Sequence, residues 1–207
     1  MQYNQEAEPA LWEAFISGKR EAYADLYRIY HPRLYNYGRK FTADTIVVED
    51  CIQELFIHFW MNRNKLSGRH ISRSYLFVSF RRLFLKTLQQ VNRHSAAFFS
   101  EEYFDFAIEA SIDQVMINKE SLYERHINLK KALEKLTARQ KEAIFCMFYE
   151  NMSYGEIALL LHISKKATYK LIARALAELR VVYKQNAVLW KLPLPIMAIS
   201  FILSFFY

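Results

Sequence analysis

Lys165, Lys166, Lys170 and Arg174 recur at spacings that turn them to the outer side of one helix, where cations neutralise phosphates. Asp50, Gln53 and Glu54 stand at i, i+3 and i+4 and share a polar helix face, with Phe56 and Trp60 following in Asp50-x-x-Gln53-Glu54-x-Phe56-x-x-x-Trp60. That chemistry is protein recognition, with Trp60 as a large amphipathic ring near a helix end. A third group interleaves Arg69, Arg73, Arg81, Arg82 and Lys86 with Tyr75, Phe77, Phe80 and Phe84. Cations beside rings hold single-stranded nucleic acid, the rings stacking on bases. Each group also has a plainer reading: a wet charged face, a solvated polar trio over a core tryptophan, and rings that belong to a core. In the third group both readings hold together, with the arginines facing out and most of the rings facing in.

The elements that position the first group are two short helices and a turn. Thr137 with Gln140, and Ser153 with Glu156, fit the capping box, in which hydroxyl and carboxylate or carboxamide satisfy orphan helix N–H groups reciprocally. Each cap contributes on the order of 0.5–2 kcal/mol. From Ser153 a helix runs through Ile157, Leu160 and Leu161, His162-Ile163-Ser164 interrupts it, and Ser164 caps the next. That second helix keeps Leu171, Ala175 and Leu179 as a packing stripe beneath its cations. A short helix, a tight turn and a basic helix form a helix-turn-helix suited to a major groove.

With four Gly and four Pro in 207 residues and 53% hydrophobic residues, the fold class is all-α: two small helical domains joined by a linker, the second a helix-turn-helix. A net charge of +7 favours a polyanionic partner, nucleic acid before an anionic membrane surface. Cys51 and Cys146 lie in apolar helix stripes and read as buried reduced thiols. The six histidines are scattered without ligand spacing, so no metal and no cofactor is expected. No phosphate loop, nucleophile elbow or acid–base pair argues for an enzyme, and the N-terminus lacks a signal-peptide core.

Charge divides the chain. Residues 61–94 carry eight Lys or Arg and no acid, whereas 95–121 carry six acids against Lys119 alone. That reversal marks an acidic linker over 93–121 between a domain at 8–92 and a domain at 122–186. In the first domain, helices are expected over 10–17 with Gly18 as C-cap, from 19 past Pro32, from Thr45, and from Ser72 to about Gln90. Residues 187–207 form an apolar tail; a helix from Pro195 spans only about 20 Å against a hydrocarbon core of about 30 Å. The tail allows weak membrane contact.

These motifs, in this order, resemble those of bacterial RNA polymerase sigma factors of the small, two-domain extracytoplasmic-function group, over nearly all of residues 10–182. Gly18-Lys-Arg-Glu21-Ala22-Tyr23-x-x-Leu26-Tyr27-x-x-Tyr30-x-x-x-Leu34 is similar to the opening of the family's first domain. Leu133-x-x-Leu136-Thr137-x-Arg139-Gln140-Lys141 through Arg174-Ala175-Leu176-x-x-Leu179-Arg180 is similar to its second. The resemblance implies a non-catalytic initiation factor that binds core RNA polymerase and promoter DNA. Asp50, Gln53, Glu54, Phe56 and Trp60 would dock on polymerase. Arg73, Tyr75, Arg81, Arg82 and Lys86 would hold the opened minus-ten element. Lys165, Lys166, Tyr169, Lys170 and Arg174 would enter or flank the minus-thirty-five major groove. It also implies a membrane-bound anti-sigma factor and a cytoplasmic location. The chain departs from the family with Ala167-Thr168-Tyr169 where many members have Thr-Val-Lys, Arg82 for a frequent Asn, and Tyr75 for a common Trp. A helix-turn-helix regulator acting without polymerase explains 137–180 equally well but leaves the Asp50–Trp60 motif idle. A membrane-associated interaction protein accounts for the charge and the tail but not for the capped helix-turn-helix.

Overall fold

The computed structural model describes residues 8–66, 72–92, 105–108 and 130–183, and every regular element among them is a helix. The chain divides into two compact units, Met1–Tyr103 and Phe104–Tyr207. The first holds α1 (Glu8–Ile16), α2 (Arg20–Gly38), α3 (Thr45–Met61), the single turn α4 (Arg63–Leu66) and α5 (Arg73–Asn92). Gly18, at φ +87°, closes α1 in a Schellman pattern: its N–H donates to Phe15 O, and that of Lys19 to Ala14 O. Asp44 starts α3 by accepting from the N–H groups of Ile46 and Val47 at 3.0 and 3.3 Å. α2 continues through Pro32 without a break.

α3 packs on α5 and α2 around a ring-rich core. Tyr37, Phe77 and Phe80 are fully buried, with Tyr37 edge-on to Phe77 at 5.6 Å and Phe80 stacked on Phe84 at 5.2 Å. Such pairs add about 0.5–1.5 kcal/mol beyond area burial. Gly38 permits the close crossing, since a Cβ there would lie 2.8 Å from Val48 Cγ1 and 3.3 Å from Phe80 Cζ. One carboxylate ties three helices together. Glu8 accepts from the Trp12 indole and the backbone N–H of Arg73, each at 3.2 Å, and from the buried Tyr30 hydroxyl. It thereby satisfies an orphan donor at the start of α5 with a negative charge.

The second unit contains α6 (helical over 130–134), α7 (Ala138–Phe148), α8 (Tyr154–Leu160) and α9 (Lys165–Tyr183). Both expected capping boxes are present, Thr137 with Gln140 on α7 and Ser153 with Glu156 on α8. Ser164 caps α9 by accepting from Ala167 N–H at 3.1 Å. α7 and α8 pack on α9, burying Ile157, Leu160 and Leu161. Of the expected stripe of α9, Ala175 is buried and Leu171 and Leu179 are half-buried, and Thr168 and Ile172 are buried beside them. The turn after α8 is a second Schellman pattern, with N–H of His162 and Ile163 donating to Leu159 O and Ala158 O. His162 takes the left-handed position at φ 51° without being glycine.

Part of the expected acidic linker belongs to this second unit. Phe106 is fully buried and meets the Phe145 ring edge-on at 5.6 Å, while Asp105 lies 3.8 Å from Lys141. Phe145 in turn stacks on Tyr149, whose phenol burial pushes up to about 12. The expected tail, 187–207, and most of the linker lie outside the described residues.

Phe106→Ala is expected to destabilise the second unit by about 3–5 kcal/mol, read by urea unfolding of the full chain with amide exchange followed over α7–α9. His162→Gly is expected to stabilise it by about 1 kcal/mol, raising its unfolding midpoint in the same measurement.

Candidate nucleic-acid interface

The outer side of α3 is a continuous stripe. Asp50, Gln53 and Glu54 are exposed as their spacing requires, and Ile46, Ile57 and Met61 extend the stripe at 69%, 58% and 74% exposure. These three apolar residues were not singled out by sequence, although Ile57 and Met61 stand at i+4 and i+8 from Gln53. Phe56 is a correction: it is 2% exposed and packs on Tyr23 and Tyr27, so it lies beneath the stripe and cannot itself meet a partner. Trp60 is half-buried between Phe15 and Tyr23, and the Arg63 guanidinium covers its ring at 4.6 Å. It packs at the corner between α3 and α4. Cys51, on the inner side, is a free thiol whose pKa burial pushes up. His31 on α2 meets Glu49 at 2.7 Å beside this stripe.

On α5 the arginines do not all face out. Arg73 and Arg81 are 7% and 4% exposed, against expectation, because they stand at i−4 and i+4 from the fully buried Phe77. Arg82 and Lys86 are exposed one step around the helix, and half-exposed Ser79 and exposed Gln90 continue their edge. The rings settle as core: Phe77, Phe80 and Phe84 are fully buried. Tyr75 alone stays half-buried, tilted over Phe59 at 5.7 Å.

On α9, Lys165, Lys166, Tyr169, Lys170 and Arg174 are all exposed, spread over the half of the helix that faces away from Thr168, Ile172 and Ala175. Lys165 and Lys166 occupy the first turn, the positive end of the helix dipole, where cations cost roughly 0.3–1 kcal/mol each. A bound phosphate reverses that cost. Among the described residues no cluster of His, Cys, Asp or Glu could hold a metal. No described helix is long and apolar enough to cross a membrane.

A chain whose described elements are all helical, and whose second unit is a helix-turn-helix with a cationic outer side, falls in the class of helical DNA-binding proteins. A sigma-70 region 2 model matches residues 26–94 and a sigma-70 region 4 model matches residues 126–179. Together they cover more than half of the 207 residues, and the chain belongs to the sigma-70 family. Two solved structures have a similar fold. CnrH, in complex with the cytosolic domain of CnrY, is 21% identical with a TM-score of 0.54, covering 87% of this chain and 99% of that one. The sigma factor RpoE of Bartonella quintana, in complex with the anti-sigma factor NepR, is 19% identical with a TM-score of 0.53, covering 79% and 98%. No curated protein matches the chain in sequence. The protein is thus a transcription-initiation factor and not an enzyme, with core RNA polymerase and promoter DNA as partners.

Arg81→Ala is expected to cost at least 1 kcal/mol of stability, as removal of a buried hydrogen-bonding group does. Arg82→Ala, on the exposed edge, leaves the thermal midpoint within a degree or two of the parent. Thermal unfolding by circular dichroism separates the two.

Proposed function

We propose that the chain is an extracytoplasmic-function sigma factor whose three exposed helix faces divide the work of promoter recognition. The outer stripe of α3 docks on core polymerase: Asp50, Gln53 and Glu54 set register by charge complementarity, and Ile46, Ile57 and Met61 supply buried area. Phe56 and Trp60 hold that stripe from beneath. Tyr75, Arg82 and Lys86 meet the opened minus-ten strand, with Arg73 and Arg81 holding α5 in place. Lys165, Lys166, Tyr169, Lys170 and Arg174 take the minus-thirty-five duplex. The observation that carries this reading is the exposure of mixed polar and apolar side chains on α3 in the same chain as a cationic α9. A DNA-binding regulator needs only the second.

The proposed setting is the cytoplasm. An anti-sigma partner, held at the membrane, is proposed from the similar folds, which were solved with the cytosolic domain of CnrY and with the anti-sigma factor NepR. Weak membrane contact through residues 187–207 completes the proposal.

Run-off transcription with purified core polymerase on a library of upstream regions tests it. Specific transcripts are expected, falling at least ten-fold for Glu54→Lys and for Ile57→Glu while duplex binding stays intact. Duplex binding without any polymerase-dependent transcript would replace this reading with a regulator that acts alone.

A further inference from the structure

The outer side of α9 carries one large ring among its cations. Ala167 and Thr168 turn inward, Thr168 completely, whereas Tyr169 is 48% exposed. Its ring stacks on that of Tyr154, with centroids 4.1 Å apart and planes 22° from parallel. Tyr154 is the first residue of α8 and Tyr169 the fifth of α9, so the pair bridges the two helices of the helix-turn-helix on its outer side.

Tyr154 opens a first turn that is pinned, and Tyr169 directly follows one. Ser153 Oγ accepts from Glu156 N–H at 3.3 Å, and the Glu156 carboxylate accepts from Ser153 N–H at 2.8 Å. On α9, Ser164 Oγ accepts from Ala167 N–H, and the Thr168 hydroxyl donates to Ser164 O at 3.2 Å. A ring already held in one orientation loses little freedom on binding. The ring is an apolar plate flanked by Lys165, Lys166 and Lys170, which anchor on phosphates and carry no sequence information. Of the four bases, thymine alone offers an apolar group, its C5-methyl, in the major groove.

We propose that Tyr169 reads a thymine methyl in the upstream duplex and that Tyr154 is the residue that positions it. The proposal rests on α9 being the element in the major groove, and it names the base chemistry that this chain selects there.

The test uses the full chain with core polymerase. The best duplex is selected from a randomised upstream library and remade with deoxyuridine at each thymine in turn. Removal of one methyl is expected to weaken binding about four-fold at a single position. That sensitivity disappears in Tyr169→Ala and persists in Tyr169→Phe. It also disappears in Tyr154→Ala and in the bulkier Tyr154→Leu, and Tyr154→Phe restores it, a pattern that loss of folding does not produce. Insensitivity to deoxyuridine at every position would overturn the proposal while leaving the reading of α9 intact. So would a sensitivity that survives Tyr169→Ala, or a uniform loss of affinity in Tyr169→Phe, which marks a phosphate contact by the hydroxyl. Sensitivity unchanged in both Tyr154→Ala and Tyr154→Leu would overturn the positioning role. Absence of any sequence preference in the unaltered protein would overturn the underlying reading as well.

Discussion

A helix in a unit of this size can bury only one side, and that constraint decides what the other side is free to do. α3 and α5 commit their inner sides to a ring-rich core so closely crossed that Gly38 has no room for a Cβ. Burial of large rings is the main favourable term for a unit of this size, at about 25 cal/mol per Å² of apolar surface. Once Phe77, Phe80 and Phe84 are inside, the angular position of every other residue on α5 follows. Arg73 and Arg81 go in, and Arg82 and Lys86 come out. The same rule turns Ile46, Asp50, Gln53, Glu54, Ile57 and Met61 outward on α3.

Polar groups then fix where these helices begin and how they are aimed. Glu8 joins α1 and α2 to the first turn of α5 through a single carboxylate. In the second unit three serine or threonine caps start α7, α8 and α9, and a left-handed His162 sets the turn between the last two. These local devices turn the cations of α9 outward and set Tyr154 against Tyr169. Recognition chemistry is thereby placed on rigid helices with few loops between chemistry and core.

Much of this was legible from residue types and spacing because it is local. Capping boxes are read within four residues, and the helix-turn-helix follows from two of them and a basic amphipathic helix. The polar trio of α3 declared its face by i, i+3, i+4 spacing. What was not legible depends on distant partners. Arginine is ordinarily at the surface, so Arg73 and Arg81 read as outward until the burial of Phe77 fixed the register of α5. Phe106 lies in an acidic run whose composition signals a linker, and its burial depends on Phe145, 39 positions along the chain. Phe56 fits a docking motif by position yet faces Tyr23 and Tyr27. The interruption at His162-Ile163-Ser164 was legible, but the left-handed conformation of His162 was not, since that position is taken without glycine.

In the proposed function one chain engages polymerase through α3 and upstream duplex through α9 at the same time. Photoreactive side chains placed at Gln53 and at Lys170, in a complex with core polymerase and promoter duplex, test it most directly. Gln53 is expected to link to polymerase and Lys170 to DNA within a single complex. Linkage of Lys170 to DNA with Gln53 left unlinked in the presence of polymerase would contradict it.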